Sequence, residues 1–158
     1  ERYVQSAYFR MLALEANRRL ERMSSGRYEL LVREEKENLQ SRSGLDLDVY
    51  DYHTGKVRSI RSLSGGESFQ AALSLALGVS GVIGQFAGGI RVETVFIDEG
   101  FGSLDEQSLE TAVETLSALS REDCLVGIIS HVPELKERIE CRIEVEKNRG
   151  GSSVFFTS

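Results

Sequence analysis

The N-terminal half of the chain moves from a helical to a strand-like pattern of hydrophobic positions. Residues 3–23 place apolar side chains at the spacing of one helix face, with arginines between them. The run YELLV at 28–32 predicts a strand. Residues 45–57 alternate apolar with polar positions up to a His-Thr-Gly turn, which predicts an antiparallel hairpin with one solvated face. The helix over 3–23 is either a surface helix of this domain or the base of a longer coiled coil, and so short a pattern leaves both open.

The C-terminal half predicts a strand, a helix and a second strand. The runs TVFIDE (94–99) and CLVGIISH (124–131) are short, apolar and end in polar residues, and residues 105–120 between them have a helical pattern. Such a unit implies two parallel strands buried on both faces, with their carboxyl ends at the edge where open α/β sheets bind ligands. A short helix over 133–139 and closing strands in CRIEVEK and SSVFFT follow.

The stretch from Ser68 to Ile90 has no charged residue and is long enough to suggest a membrane span. Its several glycines, its serines and glutamines and its lack of an aromatic belt instead favour a helix buried in a protein core. The whole chain of 158 residues has the length and composition of one globular domain. We therefore expect a single domain over 1–158 and no membrane span.

Charge and cysteine content narrow the class of protein. Residues 1–42 hold nine Lys and Arg against seven Asp and Glu, and the remainder holds ten against eighteen. An acidic body argues against a free-standing nucleic-acid binder, so any such contact would use the N-terminal part or a partner. Cys124 and Cys141 form neither a zinc motif nor a disulfide framework, which favours a reducing cytoplasm.

The stretch LSGGES at 63–68 places two glycines directly before the uncharged helical run. Ser64 and Glu67 have the spacing of a capping box, in which hydroxyl and carboxylate satisfy helix N–H groups. A cap does not need both Gly65 and Gly66, but bare backbone N–H groups at a helix N-terminus suit a phosphate. The residues alone leave the structural cap and the anion site open.

Polar side chains follow both predicted strands where they end. Asp98 and Glu99 close one strand, and His131 closes the other. A charged pair at a strand end is often only solvated, but a Gly-Phe-Gly turn follows this one directly and holds it at the sheet edge. One acid is suited to hold Mg²⁺ and the other to polarise a water, which is the division of roles that phosphoryl transfer needs.

Four stretches in this order resemble the head of the ABC-type ATPases. LSGGE (63–67) resembles the signature motif, VFIDE (95–99) the Walker B motif with its catalytic glutamate, SLD (103–105) the D-loop and SH (130–131) the switch histidine. The resemblance implies an α/β fold, the C-terminal lobe of an ABC-type P-loop ATPase head. Its parallel sheet would be flanked by helices, and an antiparallel hairpin and a coiled-coil stub over 1–24 would precede it.

A narrower resemblance covers roughly residues 15–150. The stretches LSGGESFQAALSLALG, FIDEGFGSLDEQSLETA and GIISHVPELKERI are similar to the C-terminal head segment of the SbcC family, bacterial DNA-repair ATPases of the SMC-like group. Glu67 in place of Gln and the sequence DEGFGSLD at 98–105 favour this family over an ABC transporter.

The resemblance implies ATP and Mg²⁺ as ligands. In the signature motif, Ser64 and Gly66 would contact the γ-phosphate of an ATP held by the opposite subunit, and Gly65 and Glu67 would complete the nucleotide-binding turn. In the Walker B motif, Asp98 would hold Mg²⁺ and Glu99 would activate water. The switch histidine His131 would sense or bind the γ-phosphate. In the D-loop, Ser103 and Asp105 would cross the dimer interface.

The chain lacks the Walker A motif GxxxxGK[ST], which cradles the phosphates of ATP. Gly55 and Lys56 do not replace it, since the earlier glycine is absent and Val57 stands where the motif needs Ser or Thr. We therefore expect half an active site, inactive alone, cut from a longer polypeptide that begins before Glu1. Its partners would be the N-terminal Walker A lobe of the same polypeptide, a second head and an SbcD-like nuclease near 1–24, with double-stranded DNA bound by the complex.

Other functions stay open from the sequence. The same fold serves SMC-type chromosome organisers, other coiled-coil repair ATPases and transporter ATPases. A non-catalytic interaction module is a further alternative, although nothing structural requires Asp98, Glu99 and His131 together.

Overall fold

The computed structural model describes residues 2–33, 46–86, 93–120 and 124–157 of the chain. In the described ranges, no helix is long and apolar enough to cross a membrane, and residues 87–90 of the uncharged run lie outside them. The described helices and strands follow one another in the order that the hydrophobic pattern predicts. In chain order the elements are α1 (Arg2–Met23), β1 (Tyr28–Arg33), β2 (Asp46–Asp51), β3 (Lys56–Ser59), α2 (Gly65–Phe86), β4 (Thr94–Asp98), α3 (Glu106–Ser120), β5 (Leu125–Ile129), α4 (Pro133–Arg138), β6 (Arg142–Asn148) and β7 (Gly151–Thr157).

The predicted hairpin is part of a three-stranded antiparallel meander in the order β1-β2-β3. Leu30 of β1 lies opposite Val49 of β2, and Tyr28 lies opposite Asp51. Asn17 of α1 fixes β1 from the other side, because its amide donates to the Leu30 carbonyl at 3.0 Å and its oxygen accepts from the Leu30 N–H at 2.7 Å. The meander is thereby attached to the C-terminal half of α1.

The prediction of a solvated face on the hairpin is wrong at Asp48, and Asp51, which lies on the apolar face with Val49, is buried as well. Asp48 and Asp51 are 8% and 2% exposed. Both are buried because an arginine pairs with each: Arg33 donates from Nε to Asp48 at 2.7 Å, and Arg27 Nη2 lies 3.3 Å from Asp51. Buried carboxylates need such partners, and the alternation of residue types does not reveal them.

Strands β4 and β5 form the predicted parallel pair, with Thr94 opposite Leu125 and Asp98 opposite Ile129. Among the described residues one face of this pair packs on the core with α3 and the other is uncovered, so the predicted burial on both faces is not found there. On the other face Phe96 is 69% exposed, and Leu125 and Ile129 are also exposed. Strands β6 and β7 form a separate antiparallel ribbon that also exposes apolar side chains, namely Ile143, Val145, Val154 and Phe156.

Helix α2, which carries most of the uncharged run, buries one face as predicted and joins two hydrophobic clusters, while Ala76 and Val79 on its other side are exposed. Leu73 and Leu77 pack with α3 and with Phe101, while Ala71 packs with α1 and the meander. α1 and α2 approach closely at Gly78, where an added Cβ would lie 3.0 Å from the Leu12 carbonyl oxygen and from the Ala16 nitrogen. A glycine is needed there because the two backbones are almost in contact.

Candidate active site

The N-terminus of α2 forms the capping box that the sequence predicts. The Ser64 N–H donates to Glu67 Oε2 at 2.9 Å, and the Glu67 N–H donates to Ser64 Oγ at 3.4 Å. The second contact is long, so the Ser64 hydroxyl is held weakly, and Ser64 itself is exposed. Ser64 and Gly65 are exposed at the N-terminus of α2, a position that is favourable for an anion.

Gly65 and Gly66 also have a packing reason that the sequence did not reveal. The turn Phe101–Ser103, a short 3₁₀ segment between β4 and α3, lies directly against them. A Cβ on Gly66 would lie 2.9 Å from the Ser103 carbonyl oxygen, and one on Gly65 would lie 3.2 Å from Ser103 Cβ. The two glycines thus bring the signature-like turn and the D-loop-like turn into contact.

The end of β4 has an unusual backbone. Glu99 has φ of 60° and Gly100 has φ of 98°, so two successive residues are left-handed. The Phe69 ring fills the space beside Gly100, where an added Cβ would be only 2.5 Å from it, and it packs on the Phe101 ring with centroids 4.8 Å apart. Phe69 belongs to α2, so that helix supports the turn after the acidic pair.

Glu99 and His131 lie side by side at the carboxyl ends of β4 and β5. His131 Nδ1 is 2.9 Å from Glu99 Oε2, and the Glu99 N–H donates to the Ile129 carbonyl at 2.9 Å. Both side chains are accessible, with exposures of 81% for His131 and 49% for Glu99. A solvent-accessible carboxylate can accept a proton from water, as a general base does, and the adjacent imidazole can form a hydrogen bond to that carboxylate.

Asp98 is exposed at the last position of β4, next to this pair. In the described parts of the chain, no group of three or more metal-ligating side chains exists. Mg²⁺ in nucleotide sites is usually bound through one or two carboxylates together with substrate phosphates. Asp98 fits such a role as a single carboxylate ligand.

Asp105 has a structural role in addition to any interface role. Its Oδ1 accepts from the Ser108 N–H at 2.7 Å and caps the N-terminus of α3. This hydrogen bond lowers the pKa of the Asp105 carboxyl below its usual value. Ser103 Oγ donates to the Gly100 carbonyl at 3.0 Å and so closes the turn that lies between Glu99 and Asp105.

The sequence reasoning missed a group of side chains behind the signature-like turn. Tyr28 donates to Glu67 Oε1 at 2.5 Å, Arg58 Nη2 lies 3.5 Å from Glu67 Oε2, and Arg27 Nη1 lies 3.5 Å from Glu67 Oε1. These partners lie 9 to 40 positions away from Glu67 in the sequence. The only sequence signal is that a capping carboxylate has lone pairs left for further donors.

A cleft of about 230 Å³ lies beside this turn. Its lining residues come from the α1–β1 connection, the signature-like turn, the D-loop-like turn and α3, and they include Ser25, Arg27, Ser64, Ser103 and Gln107. The lining is mostly polar, so the surface between the two motif turns suits a charged ligand better than an apolar one.

Comparisons with known proteins agree with this geometry. The family model described as SbcC/RAD50-like, Walker B motif, matches residues 36–118. The SbcC component of the nuclease SbcCD from Staphylococcus haemolyticus is 51% identical over 156 residues, which cover 99% of this chain and 15% of that protein. The Vibrio cholerae protein of the same name is 51% identical over 153 residues, or 97% of this chain and 15% of that protein. The chain thus spans about a seventh of these relatives.

Solved structures show the same fold. A chain from work on ATP-driven dimerization and DNA stimulated activation of SMC ATPases superposes with a TM-score of 0.77 at 16% identity, covering all of this chain and 90% of that one. The SMC head domain from Thermotoga maritima superposes with a TM-score of 0.63 at 17% identity, covering 94% of this chain and 48% of that one. The fold is therefore the α/β fold of SMC ATPase heads, and the chain belongs to the SbcC/RAD50-like family of ATPases, whose Walker B segment it carries.

Proposed function

We propose that this chain is the C-terminal lobe of an SbcC-type ATPase head and supplies half of each ATP site. The observation that carries the proposal is the pairing of Glu99 with His131 at the carboxyl ends of β4 and β5. In this proposal Glu99 is the general base that activates the attacking water. His131 stays beside it and contacts the γ-phosphate, and Asp98 is the carboxylate that holds Mg²⁺, which neutralises charge on the phosphates when it is bound.

The second half of the function lies at the N-terminus of α2. Ser64, Gly65 and Gly66 would bind the γ-phosphate of an ATP carried by a second head, with Glu67 holding the turn. Ser103 and Asp105 would lie at the interface between the two heads. The contact between Gly66 and Ser103 supports this assignment, because it places both motif turns on one continuous surface.

The partners follow from the surfaces that this lobe leaves uncovered. The exposed apolar face of β4 and β5 is suited to the N-terminal Walker A lobe of the same polypeptide, because exposed patches of this kind mark interaction sites. The relatives are named as components of a nuclease, so we further propose that α1 is the base of a coiled coil near which an SbcD-like nuclease binds. In that complex ATP-driven head dimerisation would control the processing of double-stranded DNA ends in the cytoplasm.

The test is Mg²⁺-dependent ATP hydrolysis by the full-length polypeptide and by this segment, alone and mixed with the N-terminal lobe. We expect no turnover from the segment alone, because the phosphate cradle is missing, and turnover on mixing. Glu99→Gln should keep ATP binding and lower kcat by about 10² to 10⁴, the usual contribution of a general base. Ser64→Arg places a bulky cation at the helix N-terminus and should abolish turnover on mixing.

Two results would contradict the proposal. One is turnover by the segment alone at the rate of the mixture. The other is a folded, ATP-binding mixture that hydrolyses nothing, which would favour a non-catalytic architectural module on the same fold.

A further inference from the structure

The carboxylate of Glu67 is held by more groups than a helix cap requires. One oxygen accepts from the Ser64 N–H at 2.9 Å, and the other accepts from the Tyr28 hydroxyl at 2.5 Å. The Arg58 guanidinium reaches both partners, with Nη2 3.1 Å from the Tyr28 hydroxyl and 3.5 Å from Glu67 Oε2. A capping box needs only the serine and the carboxylate, so the additional donors restrict Glu67 to one position.

These donors are themselves fixed by the meander. Tyr28 is the first residue of β1 and is 4% exposed, and Arg58 lies on β3. The guanidinium groups of Arg27 and Arg58 lie 4.7 and 5.4 Å from the centre of the Tyr28 ring, which is a cation–π distance. Buried Asp51 binds both arginines, with Oδ2 3.3 Å from Arg27 Nη2 and 3.5 Å from Arg58 Nη2. Two cations and two carboxylates thus surround one phenol.

The ionisation of this group keeps the direction of its hydrogen bonds. Burial, followed by the hydrogen bond to Glu67, raises the pKa of Tyr28 to about 12, so the phenol remains a donor near neutral pH. Burial alone would raise the pKa of Glu67, but the hydrogen bonds from Tyr28 and from Ser64 outweigh it and lower that pKa, so the carboxylate remains an acceptor. Near neutral pH, the Tyr28 hydroxyl therefore donates the hydrogen bond and the Glu67 carboxylate accepts it.

We propose that Tyr28 and Arg58 are positioning residues for Ser64, which they hold in place through the carboxylate of Glu67. This inference rests on the proposed function, because it concerns the same nucleotide-facing turn. With Glu67 fixed from behind, the Ser64 backbone has one orientation, and its weakly held hydroxyl is free to donate to a phosphate oxygen. Neither Tyr28 nor Arg58 touches the nucleotide in this arrangement, so their effect is on binding across the head interface and not on the chemical step.

The experiment compares Tyr28→Phe with Tyr52→Phe in the full-length protein. Tyr52 is a matched control, because it lies in the β2–β3 turn of the same meander and also donates to a glutamate, with its hydroxyl 2.5 Å from Glu29 Oε2. We expect Tyr28→Phe to raise the ATP concentration for half-maximal hydrolysis about two- to tenfold, the range for one lost hydrogen bond. We expect kcat to change less than about twofold, since Glu99 and His131 are untouched, and Tyr52→Phe to match the wild type.

A second measurement separates positioning from a general effect on folding. In a Glu67→Ala background, Tyr28→Phe should add no further change, because the proposed path through Glu67 is already broken. If Tyr28→Phe proves poorly folded by thermal unfolding, Arg58→Lys takes its place, since it keeps the charge but loses the fork that joins Tyr28 to Glu67.

The proposal is overturned if Tyr28→Phe, or its replacement Arg58→Lys, leaves the ATP requirement at the value of Tyr52→Phe. It is also overturned if the shift persists undiminished in the Glu67→Ala background. Failure of the proposed function has a different result, because Glu99→Gln would then retain full turnover whatever the Tyr28 variants do.

Discussion

Gly66→Ala is the change that tests most directly how the two motif turns are joined. The added methyl group would lie 2.9 Å from the Ser103 carbonyl oxygen and 3.5 Å from Leu104 Cδ2. The first of these neighbours is backbone, so it cannot rotate away as a side chain would. The Phe101–Ser103 turn must therefore move as a unit, although the helix itself accepts alanine readily.

The size of the effect follows from these distances. Overpacking of this kind costs about 1–3 kcal/mol, and replacing glycine by alanine within a helix returns up to about 1 kcal/mol. The net loss of stability is then roughly 0–3 kcal/mol, and the turn that carries Ser103 is displaced by several tenths of an ångström. A misplacement of about 1 Å in an active site can cost about 10² in rate, so we expect turnover to fall roughly tenfold.

Gly81→Ala is the matched control in the same helix. Its methyl group would have only the Arg19 and Glu15 side chains near it, at 3.9 and 4.0 Å, so it gains helix propensity without overpacking. Both measurements use the full-length protein: thermal unfolding without nucleotide, and then steady-state ATP hydrolysis. We expect Gly66→Ala to unfold at a lower temperature than Gly81→Ala and to be the slower enzyme. Equal unfolding temperatures would refute the packing argument and leave phosphate approach as the reason for the glycine.

Two further predictions concern α1 and Tyr28. Gly78→Ala should destabilise the protein by about 1–3 kcal/mol relative to Gly81→Ala, because its methyl group would lie 3.0 Å from the backbone of α1. Chemical unfolding measures this difference, and equal stabilities would show that the two helices can separate freely. The pKa of Tyr28 is raised from 10.0 to about 12, so its contribution to stability is complete below pH 10 and is lost as the pH rises to 12. Tyr28→Phe should therefore lose less stability than the wild type between pH 9.5 and 12, by at most about 2–3 kcal/mol, and an identical pH dependence would contradict this assignment.

The order and type of the elements were predictable because each carries a local signal. The helical spacing in residues 3–23 and 105–120 and the apolar runs before Asp98 and His131 gave elements close to those observed. The proximity of Glu99 to His131 was predictable as well, because two parallel strands must end at the same sheet edge. The approach of Ser103 to Gly66 was not anticipated, since it depends on how α2 packs against the turn after β4.

The contacts that were not predicted join distant parts of the chain. Tyr28 and Glu67 are 39 positions apart, and Arg27 and Asp51 are 24 apart, so no local pattern pairs them. The burial of Asp48 was hidden for the same reason, because a carboxylate on the polar face of an alternating strand looks solvated until its arginine is known. The apolar composition of β4 and β5 predicts burial on both faces, but within the described residues the face that carries Phe96 is exposed, because composition does not report what covers a strand.

The left-handed backbone at Glu99 limits how this position can change during evolution. Few residue types other than glycine adopt φ of 60° without steric strain, and β-branched residues are the least tolerated there. Glycine, asparagine and aspartate adopt this conformation most readily, and of these only aspartate keeps a carboxylate, on a side chain one methylene shorter. Drift at position 99 toward glycine or asparagine would preserve this backbone turn and lose the carboxylate that we propose as the general base, so a lineage can acquire a head that still folds but lacks that group.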